Sequence, residues 1–556
     1  MRWAIVFVLL FPWGSSLAAT FHVNAAHPNA TDAGPGTAQR PFRTLAKAAQ
    51  VARAGDEVIV HAGVYREEVR VKNSGAPGRP IVFRAAAGER VVLTGADVLE
   101  DWRREPGDKP IFSHRPWRYR FMTHPNDERH KLVGRCEQVI VDGKLLRQVL
   151  SRAEMAPGTF CADTEQRALY VWLADGSDPR EHLVEASTRT VIFCAEGEGR
   201  DYICVRGFIF RFCANPAQHG ALFARGNHWV VEDNVFEWTN GAGLSFRGRG
   251  HVIRNNICRN NGQLGMGGGG AELVLEGNQL LYSNVKGFNP GWEAGGMKIT
   301  HSEGGIVRRM VAVGNRGPGL WFDIDDRNFL VEQCLARDNE GSGIFVEISR
   351  DFVLRDNLCV GNGGGRKGSW ANSGILIAES PGCLVEHNVC VDNRTGIGIR
   401  EQGPRKLRSI EGAEIEYYVR DCTIRDNICA FNVVFQFGLW SDNIFFGPHP
   451  CPGVGSRGVP LDPDKNNIRL EHNLYFPGPG QGLILWGCPW RKKHEVFQQL
   501  ADFARAHGQD TTSRVADPQF VDWEQGDFRL RPTSPAIAMG VGLTRPAAQM
   551  SAVVAP

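Results

Sequence analysis

The sequence predicts an all-β chain wound as a right-handed parallel β-helix, a solenoid with an N-terminal helical cap and an inserted antiparallel β-rich domain. Three observations predict it. A motif of Asn, any residue and an apolar residue returns along the middle of the chain, as in Asn234-Val-Phe236, Asn256-Ile-Cys258, Asn278-Gln-Leu280, Asn357-Leu-Cys359, Asn388-Val-Cys390, Asn427-Ile-Cys429 and Asn473-Leu-Tyr475. Its spacing is 22 residues from 236 to 258 and again to 280, 24 from Leu335 of the degenerate copy Gln333-Cys-Leu335 to 359, and 31 from 359 to 390, where a coil holds an insertion. Periods of this size mark solenoids, and the Leu framework of leucine-rich repeats is missing. Finally, 556 residues with 42% hydrophobic content exceed what one compact core holds unless the core is drawn out along an axis.

Stacked coils place strands about 4.8 Å apart. The repeated Asn then belongs at turns, where it tolerates the left-handed conformation and its amide bonds the Asn above and below. Cys258, Cys359, Cys390 and Cys429 share one motif position and read as small apolar fillers of an interior stack. The disulfide alternative for them is disfavoured, since stacked positions are slightly far apart for a bridge. Cys451 and Cys488 lie beyond the regular coils and are the better disulfide candidates among the 14 cysteines.

A second column follows each coil: Gly243-Leu-Ser-Phe-Arg247, Ala294-Gly-Gly-Met-Lys298, Gly319-Leu-Trp-Phe-Asp323, Gly343-Ile-Phe-Val-Glu347, Gly374-Ile-Leu-Ile-Ala378 and Gly396-Ile-Gly-Ile-Arg400. Strand alternation sends Phe246, Met297, Phe322, Val346, Ile377 and Ile399 inward, and Arg247, Lys298, Asp323, Glu347 and Arg400 outward along one sheet.

The flanks follow from local signals. Residues 1–19 read as a signal peptide: Arg2, an apolar run from Ala4 to Trp13 too short to span a bilayer, and small residues at Ala18 and Ala19. The alternative is an uncleaved anchor. The expected location is secreted or periplasmic. Residues 20–95 form the cap and first coils, with a short helix whose N-cap is Thr44 and strands at 56–60 and 80–83. Residues 96–190 break the repeat with hairpin strands at 138–142, 158–161 and 168–173, a sandwich-like insert. The β-helix proper spans 191–480. Residues 481–556 hold the last coils, a helix at 497–507, strands at 517–520 and 527–530, and a tail.

A formal net charge of +2 provides no field to recruit nucleic acid or an anionic membrane, and neither is an expected partner. The informative feature is the pair Asp323 and Glu347, 24 residues apart and each four residues after a Gly. One coil apart in one register, the two carboxylates repel, and one pKa must rise. Carboxyl groups roughly 5 to 5.5 Å apart are what a retaining glycosidase needs, one as nucleophile and one as acid/base, whereas inversion needs about 6.5 to 9.5 Å. The non-catalytic alternatives are a solvated carboxylate stack, which like-charge repulsion disfavours, or a calcium site with Asp325 and Asp326. No other cofactor is expected.

Gly319-Leu-Trp321-Phe-Asp323, followed one coil later by Ile344-Phe-Val-Glu347, resembles the motif pair of family 120 glycoside hydrolases, and Trp292-Glu293-Ala-Gly-Gly-Met-Lys298 resembles that family's Glu and Lys coil. The resemblance spans roughly residues 20 to 440. It implies a β-xylosidase-like β-helix enzyme with an inserted β-sandwich, Asp323 as nucleophile and Glu347 as acid/base. The chain departs from the family after both residues, with Ile324-Asp325-Asp326 and Ser349-Arg350-Asp351. Trp321 is the candidate for stacking on a sugar ring, Lys298 for holding Asp323 ionised, Glu293 and Asp325 for binding substrate, and Arg400 for contacting an acidic sugar; His301 reads as structural. The expected function is an exported retaining glycoside hydrolase. The alternatives are a polysaccharide lyase using Lys298, Arg247 or Arg400, and a non-catalytic carbohydrate-binding protein.

Overall fold

The computed structural model describes residues 18–122, 131–364, 371–402, 405–409, 411–441, 466–487 and 495–544. The signal-peptide run, Cys451, Cys488 and the tail from 547 lie outside the described residues, apart from Ala18 and Ala19.

Three parallel ladders run the length of the molecule. One carries the successive strands Ala242–Arg249, Leu264–Glu276, Gly295–Thr300, Leu320–Asp323, Ile344–Glu347, Ser373–Ala378 and Thr395–Glu401. A second carries Glu303–Arg308, Arg327–Glu332, Arg350–Arg355 and Leu384–Glu386, and the third Ile257–Arg259, Gln279–Leu281, Val311–Val313, Leu335–Arg337 and Leu358–Val360. This is the β-helix that the 22 to 24 residue period predicts.

The interior is a set of columns. Phe236, Cys258, Leu280, Ala312, Ala336, Cys359, Cys390, Cys429 and Tyr475 succeed one another in register. All four predicted cysteines in this column are buried free thiols, as small apolar fillers should be.

The Asn ladder is real but works differently from the expectation. The Nδ2 of Asn234, Asn256, Asn357, Asn388 and Asn427 each donates to the Oδ1 of the next Asn at 2.9–3.1 Å. A second ladder runs through Asn315, Asn339, Asn362, Asn393 and Asn432. The left-handed residue, however, is the one before the Asn, such as Asp233 (φ 56°), Asn255 (φ 56°) or His387 (φ 55°). The buried Asn turns its amide inward, where it satisfies backbone groups that a tight turn would orphan.

At the N-terminus, Leu45–Val51 is a helix capped by Thr44, whose Oγ1 accepts from Lys47 N at 3.2 Å. The insert leaves after Thr94 and the helix resumes with Phe193–Ala195, which pairs directly with Val69–Val71. Within the insert, Ala96–Val98, Val139–Val141, Lys144–Leu145 and Val184–Ser187 form one sheet, and five further strands a second. Trp102, Phe160, Val171 and Val184 share a core between them. Not every pairing is antiparallel: Arg147–Val149 runs parallel to Thr159–Asp163. The C-terminal helix is shorter than expected, Leu500–His507, because Glu495–Phe497 forms a strand against Gly482–Trp486.

Candidate active site

Asp323 and Glu347 end successive strands and pair in register. Their Cα atoms are therefore one ladder step, about 4.8 Å, apart. Behind each carboxylate the backbone turns sharply. Ile324 (φ 59°) and Ile348 (φ 46°) are β-branched residues in the left-handed region, which costs about 1–3 kcal/mol apiece. Ladder bonds hold them there: His301 N donates to Ile324 O at 2.8 Å, Asp325 N to Ile348 O at 2.9 Å and Ile348 N to Ala378 O at 3.0 Å.

Both carboxylates line a cleft of about 610 Å³ with Lys298, Trp321, Arg247, Glu293, His301 and Arg405. A second cavity of about 430 Å³ lies further along the axis, lined by Glu347, Trp321, Phe345, Leu376 and Arg400. Glu347 borders both cavities and Asp323 only the first. The insertion at 283–294 overhangs them. It is pinned by Phe288, buried at its turn, and by Lys286, which donates to Arg135 O in the insert and to Asn240 Oδ1.

Lys298 is the hub. Its Nζ is 2.8 Å from Asp323 Oδ2, donates to Trp292 O at 2.7 Å and sits 3.7 Å above the Trp321 ring centroid. The remaining Asp323 oxygen, Oδ1, is buried and has no hydrogen-bond partner among the described residues. Glu347 is almost buried, and burial together with the Asp323 charge pushes its pKa up to about 8. Arg405 Nη1, 3.6 Å from Glu347 Oε1, works against that rise.

Three expectations need correction. Lys298 is not in register with Asp323; it pairs with Trp321, and Thr300 pairs with Asp323. The insertion at 283–294 shifts the column by two residues, so the same face is presented and the long side chain spans the offset. Trp321 is no sugar platform: Lys298 covers one face and Phe345 stacks on the other, its centroid 5.3 Å away. Asp325 is fully buried away from the cleft, accepting from Tyr417 Oη at 2.5 Å. Its partner in the calcium alternative, Asp326, is spent on backbone donors, Ser302 N at 2.8 Å and Asp323 N at 3.1 Å. Burial and the Asp323 charge raise the Asp326 pKa. His301, read as structural, lines the cleft.

Glu293 stands at the cleft wall with its Oε2 accepting from Gln218 Nε2 at 2.5 Å, and Arg400 lines the second cavity. Arg405 escaped the sequence reading. It lies on the hairpin Arg405–Arg408/Glu414–Tyr417, inside the 39-residue step between Cys390 and Cys429, where no repeat register reaches. Glu379 was also missed. It is fully buried one coil beyond Glu347, and burial with the Glu401 charge pushes its pKa up to about 8.

The ladders and columns define the class: a right-handed parallel β-helix protein with a carboxylate-bearing cleft on one outer face. Comparison with known proteins agrees. Residues 219–373 match the family model described as a right handed beta helix region, and residues 29–72 match a family of unknown function, DUF1565. The chain is 23% identical to the uncharacterized protein YwoF of Bacillus subtilis (strain 168) over 526 residues, 92% of this chain and 91% of that one. It is 32% identical to pectate lyase PEL9 of Emericella nidulans over 95 residues, 17% of this chain and 22% of that protein. Among solved structures, XylC in complex with xylose superposes with a TM-score of 0.59 at 18% identity, covering 85% of this chain and 87% of that one.

Proposed function

We propose that this protein is an exported, retaining glycoside hydrolase with Asp323 as nucleophile and Glu347 as acid/base. The observation that carries the reading is the asymmetry of two carboxyl groups one ladder step apart. Asp323 has one oxygen on the Lys298 ammonium and the other without a hydrogen-bond partner among the described residues; Glu347 is driven toward its neutral form. Paired carboxyls in unequal environments divide into nucleophile and acid. A fold neighbour holding xylose is in keeping with a sugar in this cleft.

The Asp323 carboxylate attacks the anomeric carbon as the glycosidic C–O bond breaks, and the Glu347 carboxyl gives its proton to the departing oxygen. Glu347, now a carboxylate, takes a proton from water, which attacks the same carbon and releases Asp323. Because Glu347 borders both cavities and Asp323 only the first, the glycone lies in the first and the leaving group in the second, against Phe345 and Leu376. The lyase reading is weaker. Lys298 is ion-paired, hydrogen-bonded and stacked, which disfavours the neutral amine a base requires.

Aryl glycosides of both anomers test the reading, with the product anomer followed by proton NMR. A retained anomer is expected, with activity lost in Asp323→Ala and restored to Glu347→Ala by azide. An inverted anomer, wild-type rates in both variants, or an ultraviolet-absorbing unsaturated product from pectin or alginate overturns it. Export is tested by the N-terminal sequence of the mature chain, expected to start after Ala18 or Ala19.

A further inference from the structure

We infer that the glycone is anionic, a uronosyl residue whose carboxylate is held by Arg247. The inference rests on the glycosidase reading above and names the substrate class of that same site. Three observations carry it.

Several outward arginines of the β-helix are neutralised across the ladder by a glutamate. Arg254 is 2.6 Å from Glu232, Arg259 2.7 Å from Glu237 and Arg355 2.8 Å from Glu332. Arg247 departs from this pattern. It is exposed in the cleft, forms no ion pair among the described residues, and pairs in register with Arg225, a second exposed guanidinium equally without a carboxylate. Stacking like charges is unfavourable on an unliganded sheet and becomes favourable when an anion lies between or beside them.

Between Arg247 and the Asp323–Glu347 pair the ladder carries only a glycine, Gly269, and the small side chain of Thr300. Gly269 follows Arg247 in the ladder, and Gly267 and Gly268 line the cleft beside it. A Cβ at Gly269 would meet Thr300 O at 2.1 Å, so that strand can carry no side chain there. The Arg247 guanidinium reaches over this shelf, its Nη1 3.3 Å from that same Cβ position. It therefore stands about two ladder steps, roughly 10 Å, from Asp323. One pyranose fills that gap, with its anomeric carbon at Asp323 and a substituent at the far side of the ring against Arg247.

The charges in the cleft agree. Lys298 is spent on Asp323, and Arg405 faces Glu347. Glu293 is hydrogen-bonded to Gln218 at the side wall. Burial and the Arg247 charge lower the pKa of His301. Arg247 is the cation left for the ligand, and a planar guanidinium matches a carboxylate in a two-point fork that a neutral hydroxymethyl cannot supply.

The test compares 4-nitrophenyl glucuronide and galacturonide with the glucoside and xyloside, both anomers, on the wild type and on Arg247→Gln and Arg247→Glu. The wild type should prefer a uronide, and Arg247→Gln should lower the ratio of uronide to xyloside kcat/KM at least tenfold, Arg247→Glu further. A wild-type preference for the neutral glycosides, or an equal fall on all substrates, overturns the assignment. If no glycoside is cleaved, the glycosidase reading fails, and calorimetric binding of glucuronate against glucose then decides the Arg247 assignment. Glucuronate binding that is lost in Arg247→Gln supports it; binding that is absent, or equal in the variant, overturns it.

Discussion

The Lys298 ammonium ends 2.8 Å from Asp323 although the ladder pairs Lys298 with Trp321. The side chain runs diagonally across its neighbour's ring to reach the carboxylate, and both charged groups are almost wholly removed from water. Removing one partner of such a pair strands the other. Lys298→Met is expected to cost about 3–5 kcal/mol in urea unfolding. It should also lower kcat by roughly 10²-fold, since the nucleophile loses its electrostatic support. Adding Asp323→Asn should restore much of the stability and none of the activity. If Lys298→Met unfolds like the wild type, the pair is not the buried ion pair described.

As the proposed acid/base, Glu347 would set the basic limit of activity. The acid must carry its proton, so kcat/KM should fall as pH rises through about 8, the value to which burial and the Asp323 charge push it. The stability effect has a definite sign. The folded pKa lies above the ordinary value of 4.5, so the native state binds more protons and stability falls as pH climbs from about 4.5 to about 8. Glu347→Gln removes this dependence. Its stability relative to the wild type should therefore rise across that window. A difference that is flat in pH refutes the assignment.

Arg405 opposes that rise, and its position depends on a hydrogen bond two elements away. Arg405 pairs with Tyr417 across the hairpin, and Tyr417 Oη is anchored on buried Asp325 at 2.5 Å. Arg405→Gln removes a cation facing Glu347, so the basic limb should move upward. Tyr417→Phe frees the hairpin and should move the limb the same way. It should also cost about 1 kcal/mol or more for the hydrogen bond lost to a buried carboxylate. KM should hold in Tyr417→Phe, because Asp325 positions the site and does not touch substrate. A raised KM with an unmoved limb would return Asp325 to the binding surface.

The Asp323–Glu347 juxtaposition was legible in the sequence because a single rule generates it: equal offset from a Gly, one coil apart, outward parity. The rule fails where coils change length. The insertion at 283–294 displaced Lys298 by two positions, and the 39-residue step hid Arg405 altogether. Trp321 shows a different limit. Parity says that it faces outward, but an outward side chain on a parallel ladder meets its neighbours above and below before it meets solvent. Flanked by Lys298 and Phe345, it is almost entirely buried. The left-handed turn position eluded the reading because Asp, Asn, Gln and His all occupy it. The Asn motif beside it marks the amide ladder instead.

That ladder makes the last prediction, on what holds the coils in register. Asn357 Oδ1 accepts from Cys334 N at 3.0 Å, and its Nδ2 donates to Val331 O and to Asn388 Oδ1, each at 3.0 Å. Asn357→Ala orphans the Cys334 amide and the Val331 carbonyl in a site without solvent, at about 1–3 kcal/mol each. Asn357→Asp keeps the shape and the acceptor but loses the donor, and its carboxylate would face Asn388 Oδ1. Burial must then raise its pKa, so this variant should be more stable at pH 4.5 than at pH 8, where the wild type changes less. Urea titrations at the two pH values decide it. An Asp variant with the wild type's pH dependence would mean that the amide donor contributes nothing, and that backbone pairing alone keeps the coils aligned.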